Sequence, residues 1–140
     1  MRNIALVDTG AIVALFSRRD ARHKDVFSTF ETAQIERVSL ITTWPILTET
    51  CWFLGAQRQQ QALEWIARAG IKVQSIDAAL DFIRREMGRY ADLPCSVADA
   101  SLLYAAHVTG ARDILSIDSD FQVYRLPDRT RFTVIPGGQA

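Results

Sequence analysis

Four acids stand where a carboxylate is unusual. Asp8 ends the unbroken apolar run Ile4-Ala5-Leu6-Val7, and Asp118 ends Asp113-Ile114-Leu115-Ser116-Ile117. Glu49 shares a helical spacing with Ile46, Trp52, Phe53 and Ala56. Asp99 has Leu102, Leu103 and Ala106 within about 60° of it around a helix of 3.6 residues per turn. One such acid reads as a helix cap or a surface charge. Four of them, two at strand ends and two on apolar helix faces, read as a site. Buried, unpaired carboxylates are costly, and like charges held together raise each other's pKa. A hard divalent cation resolves both problems, because Mg²⁺ and Mn²⁺ prefer oxygen ligands and retain several waters. Such a site suits phosphoryl transfer, in which the metal activates a water and stabilises the leaving oxygen.

The acids converge only if the elements carrying them allow it. An apolar run without alternation predicts a strand buried on both faces of a parallel sheet. Gly10 is expected to let the chain turn tightly after Asp8. Apolar residues from Ala11 to Phe16 predict a short helix, and Asp20 or its neighbours are expected to open a second one carrying Val26, Phe27 and Phe30. A strand follows over 38–42. Thr42-Thr43-Trp44-Pro45 has hydroxyl caps followed by proline, a helix start. That helix is expected to run to about Ala56, with Gln57 to Gln61 as a polar turn and another helix on to Gly70. A strand over 71–76 and a helix capped by Asp77, with Leu80, Ile83, Met87 and Tyr90 facing inward, come next. Ser96 caps the helix of Asp99, Gly110 ends it, and strands over 113–117 and 132–136 close the chain. Strands alternating with helices predict an α/β fold, a mostly parallel sheet with helices on both faces.

Composition narrows the class. The chain has 140 residues, 49% hydrophobic and 23% charged, with zero formal net charge. It is read as one domain over 1–136 with a C-terminal tail over 137–140. No whole-molecule positive field is present, so a nucleic acid must be held by a local patch or a metal. Cys51 and Cys95 have no metal-ligand spacing and read as free thiols. His23 and His107 lack the Cys partners of a structural zinc site. No signal-peptide pattern and no run approaching a membrane span are visible, which gives the expectation of a cytoplasmic protein without membrane contact.

The segments Val7-Asp8-Thr9-Gly10-Ala11, Thr48-Glu49, Leu93-Pro94-Cys95-Ser96-Val97-Ala98-Asp99-Ala100 and Leu115-Ser116-Ile117-Asp118-Ser119-Asp120-Phe121 occur in this order across essentially the whole chain. As an ordered set they resemble the PIN-domain family, and within it the VapC-type ribonuclease toxins of bacterial toxin–antitoxin pairs. The resemblance implies a three-layer α/β/α sandwich and an endoribonuclease dependent on Mg²⁺ or Mn²⁺. It places the four family acids on Asp8, Glu49, Asp99 and Asp118, as catalytic and metal-binding residues, with Asp120 as a substitute or supplement for Asp118. Thr9 and Ser116 stand where family members carry supporting hydroxyls. Cys95 replaces a frequent methionine. The resemblance also implies an RNA substrate (transfer, ribosomal or messenger), a VapB-like antitoxin and a homodimer.

Arg84, Arg85 and Arg89 share one side of a helix and are expected to hold RNA phosphates, against the alternative of a solvated helix face. Arg18, Arg19 and Arg22 form a second basic group. Two rival readings are a catalytically weak PIN-like RNA-binding protein and a receiver-like phosphoacceptor domain. The latter needs a lysine after a late strand, and the only lysines are Lys24 and Lys72.

Overall fold

The apolar run at the start of the chain becomes the middle strand of the molecule. In the computed structural model, which describes residues 1–136, β1 (Ile4–Val7) lies between β2 (Ser39–Thr42) and β4 (Asp113–Leu115). The edge strands are β3 (Lys72–Val73) and β5 (Thr133–Ile135), giving the order β3-β2-β1-β4-β5. Every strand pairing within this sheet is parallel. The register sets Leu6 against Ile41 on one side and Ile114 on the other. Ala5, Leu6 and Val7 are fully buried, as a strand covered on both faces requires. The tail expected over 137–140 lies outside the described residues.

The helices are α1 (Thr9–Leu15), α2 (His23–Ile35), α3 (Trp44–Arg68), α4 (Leu80–Arg89) and α5 (Val97–Thr109), with a 3₁₀ turn at Ser119–Gln122. Strand order reverses direction between β1 and β4. Right-handed crossovers therefore put the α1–α3 connections on one face and the α4–α5 connection on the other. The crevice at the carboxyl ends of β1 and β4 is the switch point where α/β sheets bind ligands.

Several expected boundaries move. Gly10 lies inside α1 with no unusual φ. It is needed for close approach instead, since a Cβ there would sit 2.9 Å from Ile117 Cγ1. Of the residues expected to open α2, Asp20 itself lies in the preceding turn, where its carboxylate accepts the Arg22 N–H, and the helix begins close by at His23. Gln57 to Gln61 is helical, not a turn. The break falls at Gly55, whose φ of 80° and ψ of 176° interrupt α3. Glycine tolerates that conformation without the Cβ penalty, and the polar run after it is an exposed helix face. The strand expected over 71–76 shrinks to Lys72–Val73. Asp77 is not a cap, because α4 starts at Leu80, and Leu80 is 82% exposed instead of inward.

The face of α3 also differs from expectation. The buried positions are Ile46, Leu47, Thr50 and Leu54, while Trp44, Trp52 and Phe53 are 61%, 83% and 61% exposed. Glu49 is therefore half-buried at the border of the packed face and not within an apolar stripe. Aromatic residues on the open side of the helix produced a false periodicity.

Candidate active site

Asp8, Asp118 and Asp99 are each held by a local device. Asp8 follows β1 and caps α1, where its Oδ1 accepts the Thr9 N–H at 2.8 Å. Its Oδ2 accepts the Ser116 hydroxyl at 2.9 Å. The same hydroxyl oxygen accepts the Asp118 N–H at 3.0 Å, so one serine after β4 orders two acids. Asp118 in turn caps the 3₁₀ turn, with Oδ1 accepting from Asp120 N–H at 2.9 Å. Asp99 lies in the first turn of α5, its N–H donating to the capping Ser96 hydroxyl at 3.0 Å. Capping of this kind fixes where a helix begins, and so where Asp99 points.

Asp99 has a second partner that sequence reasoning missed. Tyr124 donates its phenol hydrogen to Asp99 Oδ2 at 2.8 Å. The tyrosine is fully buried, and its ring meets Phe121 and Tyr90 edge-on at 5.0 and 4.9 Å. The local signal was slight: a tyrosine spaced after Asp120-Phe121, with nothing to name its partner. Thr9 supports Asp8 through its backbone N–H, while its hydroxyl is buried beside the site without a partner among the described residues.

The fold brings Asp99, Asp118 and Asp120 together, with one carboxylate oxygen of each within 4.8 Å of the others. Asp8 and Glu49 border this trio. Burial pushes Asp8 up to about 7, the Asp99 and Asp118 charges push the same way, and the Ser116 and Thr9 hydrogen bonds pull against them. Burial likewise raises Asp99 to about 6, with Asp118, Glu49 and Asp120 adding repulsion against the Tyr124 hydrogen bond. Asp120 is raised by burial and by Asp118. Among the described residues none of these five acids forms an ion pair. Carboxylates crowded together without a counter-charge, offering only oxygen, fit a hard divalent cation in the manner of Mg²⁺ or Mn²⁺.

The remaining expected residues lie apart from this cluster. Arg84 and Arg85 pair with Asp81, and Arg89 pairs with Glu86, all on α4. Cys95 is buried near Asp99 and Tyr124, with its thiol pushed up to about 11 by burial, which keeps it an inert packing residue.

Comparison with known proteins agrees with this architecture. The family model of the PIN domain matches residues 5–126. The chain belongs to the PIN-domain family. The match runs from β1 to the segment after the 3₁₀ turn, and so takes in all five acids. Among solved structures, this PIN domain is similar to Mycobacterium tuberculosis VapC20, described as a toxin that cleaves the sarcin–ricin loop. The TM-score is 0.71 at 22% identity, over 85% of this chain and 93% of that one. No curated protein sequence matches the chain significantly. Among the described residues no helix is long and apolar enough to cross a membrane.

Proposed function

We propose that this PIN domain is a metal-dependent endoribonuclease and the toxin of a toxin–antitoxin pair. The observation that carries the proposal is the convergence of Asp8, Asp99, Asp118 and Asp120, with Glu49 at the border, on the switch point of the sheet. Asp99, Asp118 and Asp120 would hold Mg²⁺ or Mn²⁺, with Asp8 and Glu49 completing the acidic surround. When bound, such an ion supplies Lewis-acid polarisation of the phosphoryl group and lowers the pKa of water.

The chain's own residues set the geometry. Tyr124 and Asp120 N–H each occupy one oxygen of Asp99 and Asp118, leaving Asp99 Oδ1 and Asp118 Oδ2 without a side-chain hydrogen bond. Those two oxygens, with the Asp120 carboxylate, are open to a ligand without breaking a hydrogen bond. Ser116 locks Asp8 to Asp118 across the β1–β4 crevice. Charge held this rigidly requires little reorganisation during reaction, the main electrostatic source of rate enhancement.

Likeness to a toxin that cleaves the sarcin–ricin loop makes that ribosomal stem–loop the first RNA to test, beside transfer and messenger RNAs. We extend the proposal to a VapB-like antitoxin, a homodimer and a cytoplasmic location. Exposed Trp44, Trp52 and Phe53 on one helix support a protein partner, because large apolar side chains clustered in water mark interaction surfaces.

The test is cleavage of an RNA panel by purified protein in Mg²⁺, in Mn²⁺ and in EDTA, beside Asp8→Asn. Metal-dependent cutting that disappears in the variant is the expected result. Cutting that persists in EDTA removes the metal, and full activity of Asp8→Asn removes Asp8 from the mechanism.

A further inference from the structure

The acidic site repels the substrate proposed for it. A polyanion brought to five carboxylates needs cationic surface nearby, yet the chain as a whole is neutral, with 16 basic and 16 acidic residues. Such surface lies in a cleft of about 300 Å³ between α4, the second half of α5 and the turn after the 3₁₀ segment. Four guanidinium groups line it, from Arg85, Arg89, Arg125 and Arg129, against one carboxylate, Glu86.

Three details make this more than a solvated helix face. The first is availability. Arg85 pairs with Asp81 at 3.3 Å in solvent, where such pairs hold little energy and exchange readily. Arg89 turns only its Nε toward the mostly buried Glu86, at 3.5 Å, and its two terminal nitrogens have no partner among the described residues. Arg129 has no ion-pair partner among the described residues. The second is conformation. Arg129 adopts φ of 70°, a left-handed geometry unfavourable for a residue with a Cβ. The Leu126–Thr130 turn holds it there through Arg129 N–H to Leu126 O at 2.8 Å and Leu126 N–H to Thr130 O at 2.9 Å. The turn thereby fixes the direction in which the Arg129 side chain leaves the backbone. The third is the floor, where Phe82 and His107 stack with centroids 5.4 Å apart.

The cleft and the acidic cluster share a wall. Arg89 precedes Tyr90, whose ring packs on Tyr124, the partner of Asp99. The Tyr90 hydroxyl also accepts the Arg125 N–H at 3.1 Å. His107 stands eight residues beyond Asp99 on α5, about 12 Å along the helix at 1.5 Å per residue. The cationic groups, from α4 and from the turn after the 3₁₀ segment, therefore share one cleft beside the acids and are not a single point of charge. Forked guanidinium donors match phosphate oxygens bidentately, and a row of them matches a chain of phosphates.

We propose that this cleft binds the phosphate backbone of the RNA substrate where it leaves the acidic site, with Arg85, Arg89 and Arg129 as the contacts. The proposal rests on the nuclease reading and narrows it: Arg84, tied to Asp81 at 2.8 Å, does not line the cleft and takes no part.

The test is binding of a short fluorescein-labelled RNA stem–loop in Mg²⁺, on an Asp8→Asn background, across a range of salt. Arg85→Ala/Arg89→Ala/Arg129→Ala is compared with Arg68→Ala, which removes an exposed arginine from α3 outside the cleft. The triple variant is expected to bind at least about tenfold more weakly, and its log–log salt slope to fall by about 2, at roughly 0.7 per lost phosphate contact. Arg68→Ala is expected to change neither. Unchanged affinity and slope in the triple variant, an equal loss in Arg68→Ala, or no RNA binding by the background protein overturns the proposal. Cleavage by the wild-type chain is scored separately. Binding through the cleft without cleavage supports the cleft and removes the nuclease.

Discussion

Tyr124 and Asp99, 25 residues apart in sequence, meet through a buried 2.8 Å hydrogen bond that fixes one oxygen of a carboxylate and leaves the other free. Partners that orient a ligating side chain typically contribute 10–100-fold to metal affinity or activity. Tyr124→Phe keeps the ring and its packing, so we expect Mn²⁺ affinity by calorimetry and RNA cleavage to fall together by about tenfold or more. Stability is expected to fall by only about 1 kcal/mol, the ordinary cost of a lost hydrogen bond. Tyr124→Ala empties a fully buried site and is expected to cost about 3–5 kcal/mol, as for other large core truncations.

Asp8 makes the metal-free protein sensitive to pH. Its carboxylate ionises at 3.8 in the unfolded chain and at about 7 in the folded one. Between those values the folded state keeps a proton that the unfolded state has lost, so rising pH removes stability, and above about 7 the loss is complete. Asp99, raised to about 6, acts in the same direction over a narrower window. In EDTA the thermal midpoint is expected to fall from about pH 4 to pH 7 and then level off. Asp8→Asn keeps the acceptor oxygen and drops the charge. It should flatten this dependence and raise the neutral-pH midpoint by about 4 °C or more, the equivalent of roughly 1 kcal/mol.

Cations and protons compete for the same oxygens. Adding Mg²⁺ or Mn²⁺ should raise the midpoint more at about pH 8 than at about pH 5, because affinity grows as Asp99 and Asp8 lose their protons. Equal stabilisation at both values would place the ion away from these acids.

Ser116→Ala removes a donor to Asp8 and an acceptor for Asp118 N–H. Because the serine hydrogen bond holds the Asp8 pKa down, its loss should move the acid limb of the cleavage profile to higher pH. The amplitude is expected to drop about tenfold, in the range seen when oriented ligands lose their support.

Asp113 provides the control acid. It is buried at the opposite end of β4 and accepts Arg2 N–H at 2.7 Å together with the Arg2 guanidinium. Asp113→Asn should cost about 1–3 kcal/mol, the range for a disturbed buried polar group, and leave cleavage per folded molecule unchanged. Thermal unfolding and active-site-normalised rates separate the two effects.

What the sequence disclosed follows from how local each signal is. Val7-Asp8 and Ile117-Asp118 announce themselves, because an apolar run and the acid ending it are neighbours in the chain. Parallel pairing and alternation of strands with helices follow from the same runs. The facing of α3 did not follow, since Trp52 and Phe53 are apolar yet point outward, and periodicity cannot separate a core stripe from a partner-binding stripe. The Tyr124–Asp99 contact joins segments distant in sequence with no local mark at either end, and while Arg85 and Arg89 stand out as one basic helix side, nothing local brings Arg129 to them. Asp118 and Asp120 could not be ranked from sequence, and the structure brings both beside Asp99.

The pairing of β1 with β4 has a consequence for synthesis. Ser116, the partner of Asp8 across the crevice, is added to the chain 108 residues after it. At about 5–20 residues per second this separates them by roughly 5–20 s of translation. Throughout that interval the nascent chain carries its first acid without Ser116, Asp118, Asp120 or the β4 strand that aligns them. The acidic site is therefore completed only when the β4 strand and the 3₁₀ turn after it have been made.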